Sequence, residues 1–103
     1  MRREYSLMLT INGRSLNQVL IDDHYEKKHG DLINDPLVLE LVRSLNGKTF
    51  PVDSTTKDGW EVYVNDPLYH GDKPYRLVWC LHADEKTVGI INVFRRRDGK
   101  VSK

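Results

Sequence analysis

The 103-residue chain carries 16 Lys and Arg against 15 Asp and Glu, a formal net charge of +1, with 39% hydrophobic and 30% charged residues. That is enough chain for a single domain with its own core, it lies outside the regime of disordered sequences, and its balance excludes a protein that grips nucleic acid by bulk charge alone. No apolar run approaches the roughly 20 residues of a membrane-spanning helix, Met1-Arg2-Arg3-Glu4 lacks the apolar core of a signal peptide, and one cysteine, Cys80, can make no internal disulfide, so the expected location is the cytoplasm, with no membrane partner.

In chain order, Glu4 to Ile11 alternates Tyr5, Leu7, Leu9 and Ile11 with Ser6, Met8 and Thr10, the pattern of a strand with one buried face. Asn12-Gly13 is a strong hairpin signal, because a type I′ turn needs positive φ at both central residues. Ser15 to Ile21 is then the returning strand, with Leu16 across from Leu9. Asp22 to Gly30 reads as a short polar helix, capped by Asp22 or Asp23 and ended by Gly30. His24 and Lys28 share a face of it, whereas His24 and His29 lie about 140° apart in projection.

Asn34-Asp35-Pro36 predicts a second helix start, with a capping carboxylate and proline in the first turn. Val38, Leu41, Val42 and Leu45 form its buried stripe and Asn46-Gly47 its stop. Lys48 to Asp53 is an edge strand or extended arm, since Pro51 cannot donate to a ladder, and Ser54 to Gly59 is a loop. Trp60, Val62 and Val64 alternate along a further strand. Asp66 to Pro74 is a polar loop.

The richest stretch comes last. Tyr75 to His82 and Thr87 to Arg95 are dense in β-branched and aromatic residues and are joined by Ala83-Asp84-Glu85-Lys86, which predicts an antiparallel hairpin. With Asp84-Glu85 at the tip, His82 faces Thr87 and Arg76 faces Val93. One face then carries Tyr75, Leu77, Trp79, Leu81, Val88, Ile90, Asn92 and Phe94. The other carries Arg76, Val78, Cys80, His82, Thr87, Ile91, Val93 and Arg95, with Arg76 and Arg95 as diagonal neighbours. The expected fold is α+β: an N-terminal β-hairpin, one main helix at about 35–46, and an antiparallel sheet of three or more strands packed on that helix. The whole chain, 1–103, is one domain with a basic frayed tail from about 97.

Motifs for chemistry are sparse. The sequence has no phosphate-binding glycine loop, nucleophile elbow or zinc-type cysteine pair. Its four histidines, His24, His29, His70 and His82, lack tight ligand spacing, so neither metal nor cofactor is expected. Cys80, between Trp79 and Leu81, reads as a small buried hydrophobe.

Four stretches, Leu41-Val42-Arg43-Ser44-Leu45-Asn46-Gly47, Trp60-Glu61-Val62, Tyr75-Arg76-Leu77-Val78-Trp79 and Ile90-Ile91-Asn92-Val93-Phe94-Arg95, together resemble the small bacterial toxins of the RelE/ParE superfamily over roughly residues 37–97. The chain departs from that family in opening with a β-hairpin where the family opens with helices. The resemblance implies a metal-independent endoribonuclease or RNA-binding toxin that works from the open face of its sheet. In that reading Arg76 and Arg95 brace the phosphate, His82 or His24 acts as acid or base, Tyr63 stacks a base, and Arg96, Arg97 and Lys28 contact the substrate. Its candidate partners are RNA and a cognate protein inhibitor.

An alternative class is a non-catalytic interaction module, either partner-binding or homo-oligomeric. Val78, Ile91 and Val93 support it, because an apolar patch on an open sheet face seeks a partner or a second layer. In both readings Arg76 and Arg95 can also pair with carboxylates such as Glu61.

Overall fold

The computed structural model describes residues 2–22 and 33–96. Strands β1 (Arg2–Ile11) and β2 (Arg14–Asp22) are joined by Asn12-Gly13, with φ of 54° and 74°. Both residues thus take the positive φ of a primed two-residue turn, and Leu9 faces Leu16. Helix α1 (Asp35–Arg43) follows, then β3 (Ser54–Thr55), β4 (Trp60–His70), β5 (Lys73–His82) and β6 (Thr87–Arg95). The six strands form one sheet in the order β1-β2-β6-β5-β4-β3. Its neighbours are antiparallel except β2 and β6, which run parallel.

Among the described residues the architecture is therefore mainly β, a six-stranded mixed sheet with one short helix, and not the expected α+β layer of an antiparallel sheet packed on a main helix. The helix has nine residues and ends at Arg43. Residues 44–48 turn away to satisfy the free edge of β1. Gly47 N–H donates to Thr10 O at 2.6 Å, Thr10 N–H donates to Asn46 Oδ1 at 2.8 Å, and Asn12 N–H donates to Lys48 O at 2.9 Å. The expected Asp35 cap is also corrected. Asn34 caps α1 by accepting from Leu37 N–H at 3.0 Å, which leaves the Asp35 carboxylate for β1. There it accepts from Arg3 Nε at 2.5 Å, from Arg3 Nη2 at 2.9 Å and from the Tyr5 hydroxyl.

Asp66 to Pro74 is not a loop. β4 runs to His70 and β5 begins at Lys73; a register slip between Asn65 and Leu68 accommodates Pro67, whose missing N–H would otherwise break the ladder. The edge strand is Ser54–Thr55, within the expected loop, while residues 49–53 form an extended arm.

One core gathers Leu16, Val19 and Ile21 of β2, Val38, Leu41 and Val42 of α1, Tyr63 of β4, Leu77, Trp79 and Leu81 of β5, and Val88, Ile90 and Val93 of β6. Trp79 is at its centre. Its ring stacks on Tyr63 with centroids 4.2 Å apart, meets Phe50 edge-on at 5.5 Å, and its Nε1 donates to Asn65 Oδ1 at 2.7 Å. The Tyr63 hydroxyl in turn accepts from Asn12 Nδ2 at 3.0 Å and donates to Glu61 Oε1 at 3.2 Å, and Arg14 Nη2 lies 2.7 Å from the same carboxylate oxygen. The turn of the first hairpin is thereby tied to β4.

Burial, then the nearby Glu61 carboxylate, pushes the Tyr63 phenol above its usual value of 10.0. The Tyr5 phenol moves the same way, chiefly through its hydrogen bond to Asp35. A group raised in the folded state gives stability that is whole below the unfolded value and lost as pH rises through the folded one. Unfolding free energy measured in urea should thus fall above about pH 10. Tyr63→Phe should weaken that alkaline dependence, and Tyr63→Phe with Tyr5→Phe should weaken it further. Trp79→Ala, which empties the centre of the core, should cost about 3–5 kcal/mol in the same experiment.

Candidate functional site

The sheet face turned away from α1 is organised in rows that cross the strands. Register places Glu4 beside Leu20, Leu20 beside Gly89, Gly89 beside Cys80, Cys80 beside Val62 and Val62 beside Ser54. The middle of this row is shallow because Gly89 has no side chain and Cys80 a small one. The Cys80 thiol lies over the glycine, so closely that a Cβ there would stand 2.7 Å from Sγ. On one side the next row carries Thr87, His82 and Trp60; on the other stands Ile91, beside Asp22 and Arg2. The result is a hollow of about 580 Å³ with Leu20, Gly89, Cys80 and Val62 on its floor, Trp60 and Ile91 on its walls, and Arg2, Asp22 and Thr56 at its rim. Burial pushes the Cys80 thiol up, only partly countered by a hydrogen bond from the Gly89 backbone, so the thiol is poorly suited to act as a nucleophile.

The arginine pair expected on this face is separated by β6 itself. The register of β5 and β6 matches the expected pairing as far as Trp79 with Ile90, then slips by one, so that Val78 faces Asn92, Arg76 faces Phe94 and Tyr75 faces Arg95. The extra residue, Ile91, is a β-bulge, and beyond it every side chain changes face. Val93 enters the core. Phe94 joins the open face, where the Arg76 guanidinium lies 6.0 Å from its ring centroid. Arg95 turns to the opposite side and is exposed. Arg76 and Arg95 are therefore not neighbours and cannot brace one phosphate together.

Arg76 instead pairs with Asp66 at 2.9 Å, and Arg96 Nη1 donates to both oxygens of the same carboxylate at 2.7 Å. Asp66 is 16% exposed and its two partners 37% and 48%, so this is a bridged, half-exposed ion cluster. Each such pair contributes about 1 kcal/mol or less.

His82 is on the open face as expected, but both ring nitrogens are occupied. Nδ1 accepts from Asp84 N–H at 3.1 Å, so Nε2 carries the proton that it donates to Asp58 O at 2.9 Å. With its ring 5.1 Å from Trp60, His82 staples the β5–β6 turn to the approach to β4. Tyr63, expected on the same face, lies in the core against Trp79, because the residues of β4 that share the open face are Trp60, Val62 and Val64. His24, Lys28 and Arg97 lie outside the described residues, as do the helix expected at 22–30 beyond Asp22 and the basic tail from about 97.

Among the described residues, Arg76, Arg95, His82 and Tyr63 are not brought together at one point. Among the described residues no group of three or more His, Cys, Asp or Glu could hold a metal ion, and no helix is long and apolar enough to cross a membrane. What the sheet does assemble is a concave apolar surface. Its key members, Leu20, Trp60, Gly89 and Ile91, come from three strands; in the sequence the alternation of Trp60, Val62 and Val64 and the apolar patch around Val78 and Ile91 pointed to it, but Leu20 and Gly89 carried no such signal.

The His82 tautomer is directly observable. Long-range ¹H–¹⁵N correlation spectra at mildly alkaline pH should show the proton on Nε2, and His82→Ala should cost about 1–2 kcal/mol through its two hydrogen bonds; a proton on Nδ1 would contradict the staple. No family model, characterised protein or solved structure matches this chain.

Proposed function

We propose that the chain is a non-catalytic protein-interaction module whose partner docks on the open face of the sheet. The observation that carries this reading is the apolar hollow over Gly89 and Cys80, flanked by Trp60 and Ile91. A concave apolar centre with a charged rim is the anatomy of a docking surface. Ile91 is 42% exposed, on a face where Val62, Val64, Val78 and Phe94 are only partly covered. Members of the RelE/ParE superfamily that act by binding support the same class, and the free Cys80 fits a cytoplasmic setting.

RNA cleavage is the less supported reading. It needs a base, an acid and clustered cations at one phosphate; here His82 is committed to two backbone groups and Arg76 shares Asp66 with Arg96. RNA binding without cleavage keeps one observation in its favour. Arg76 and Arg96 meet at the end of the sheet where Phe94 offers an aromatic surface, and single strands bind where cations adjoin aromatics.

Two measurements decide between these readings. The purified chain should leave total RNA intact and unshifted on a native gel. At the lowest workable protein concentration it should bind the apolar dye bis-ANS, and Ile91→Glu should lose that binding while keeping its unfolding midpoint. RNA cleavage or a gel shift that disappears in Arg76→Ala would overturn the interaction module.

A further inference from the structure

We infer that the partner of this face is an extended protein segment that sets an apolar side chain in the hollow and an Asp or Glu carboxylate on Arg76 and Arg96. The inference rests on the interaction-module reading and adds the chemistry of the partner. Alternation along β5 puts Arg76, Val78, Cys80 and His82 on the open face. Cys80 belongs to the floor of the hollow, and Arg76, four residues away along the strand, lies about 13 Å from it. Val64, Val78 and Asn92 stand side by side on the path between them and are half-buried. That path carries no charge.

Its far end does. Asp66 is less exposed than either of the arginines it joins, so the trio has one positive charge in excess and turns mainly guanidinium to solvent. Both arginines reach Asp66 through Nη1 alone. The Nε–Nη2 edge of each, which can grip a carboxylate with two parallel hydrogen bonds, is not engaged by Asp66. The oxygen they share also holds both side chains in place before a partner arrives, which lowers the ordering cost of binding. A nucleic-acid backbone needs a track of several unneutralised cations. One excess charge beside an uncharged path fits one carboxylate with an apolar neighbour. At the rim of the hollow, Arg2 and Asp22 lie 3.8 Å apart and their formal charges cancel, so the carboxylate belongs at the Arg76 end.

Selection from a random peptide library displayed on phage tests this. Peptides that bind the wild type should carry an apolar residue and, about four positions away, an Asp or Glu. The tightest of them, made synthetically with a fluorescent label, should bind about fivefold more weakly to Arg76→Ala and to Arg96→Gln in fluorescence anisotropy. Replacing its acidic residues by Asn or Gln should cost a similar factor, and that change leaves the protein untouched, so it decides the point even if a variant unfolds. Added salt should weaken the complex, and Ile91→Glu should lose it. Selected peptides without an acidic residue, or whose acidic residues can be neutralised at no cost, overturn the carboxylate and leave the interaction module standing. A library that yields no binder overturns the extended segment alone if bis-ANS still binds through Ile91, and both readings if it does not. An oligouridylate that displaces the peptide at equal concentration overturns the choice of a protein partner.

Discussion

One extra residue in β6 decides what each face of this sheet presents. Up to Ile90 the strand pairs with β5 in the register set by its turn; at Ile91 it gains a residue, and everything after it changes sides. Val93 reaches the core because of that slip, Phe94 reaches the open face, and Arg95 leaves it. A bulge thus couples core packing to surface chemistry: the slip that seats Val93 between its neighbours also parts Arg95 from Arg76 and lifts Ile91 beside the hollow. Stability and any docking function consequently draw on the same few residues.

The polar contacts follow a related logic, in which carboxylates join elements distant in sequence. Asp35 ties the start of α1 to Arg3 and Tyr5 of β1. Glu61 ties β4 to Arg14 of β2, and Asp66 ties β4 to Arg76 and Arg96. Each fixes arrangement more than it adds free energy, since half-exposed ion pairs are individually weak. They also commit Arg3, Arg14, Arg76 and Arg96, which are thereby less open to phosphates.

Local signals in the sequence were faithful where the chain obeys a period. The Asn12-Gly13 turn, the pairing of Leu9 with Leu16, the stripe Val38, Leu41 and Val42, and the burial of Trp79 all follow from two- or 3.6-residue repeats and from turn chemistry. The pattern misled wherever a single residue breaks the count. Ile91 has no compositional mark as a bulge, and Pro67 suggested a loop although a slip in β4 absorbs it. Tyr63, expected on the open face as a base-stacking residue, lies in the core, where Asn12 and Glu61 satisfy its hydroxyl. The site suffered most, because a pair of arginines on one face demands correct counting across a whole strand. The parallel contact of β2 with β6 was equally hidden, since nothing local encodes which distant strand becomes a neighbour.

That parallel contact has a consequence for how the molecule comes into being. The first hairpin can close early from its own turn, but among the described strands it is β6, more than sixty residues on, that joins it to the rest of the sheet; Gln18 meets the Thr87 hydroxyl 69 residues downstream. During synthesis the first hairpin waits beside an unfilled gap until β6 is made, and a message truncated before β6 leaves it held to the other strands only by side contacts such as Asn12 with Tyr63 and Arg14 with Glu61.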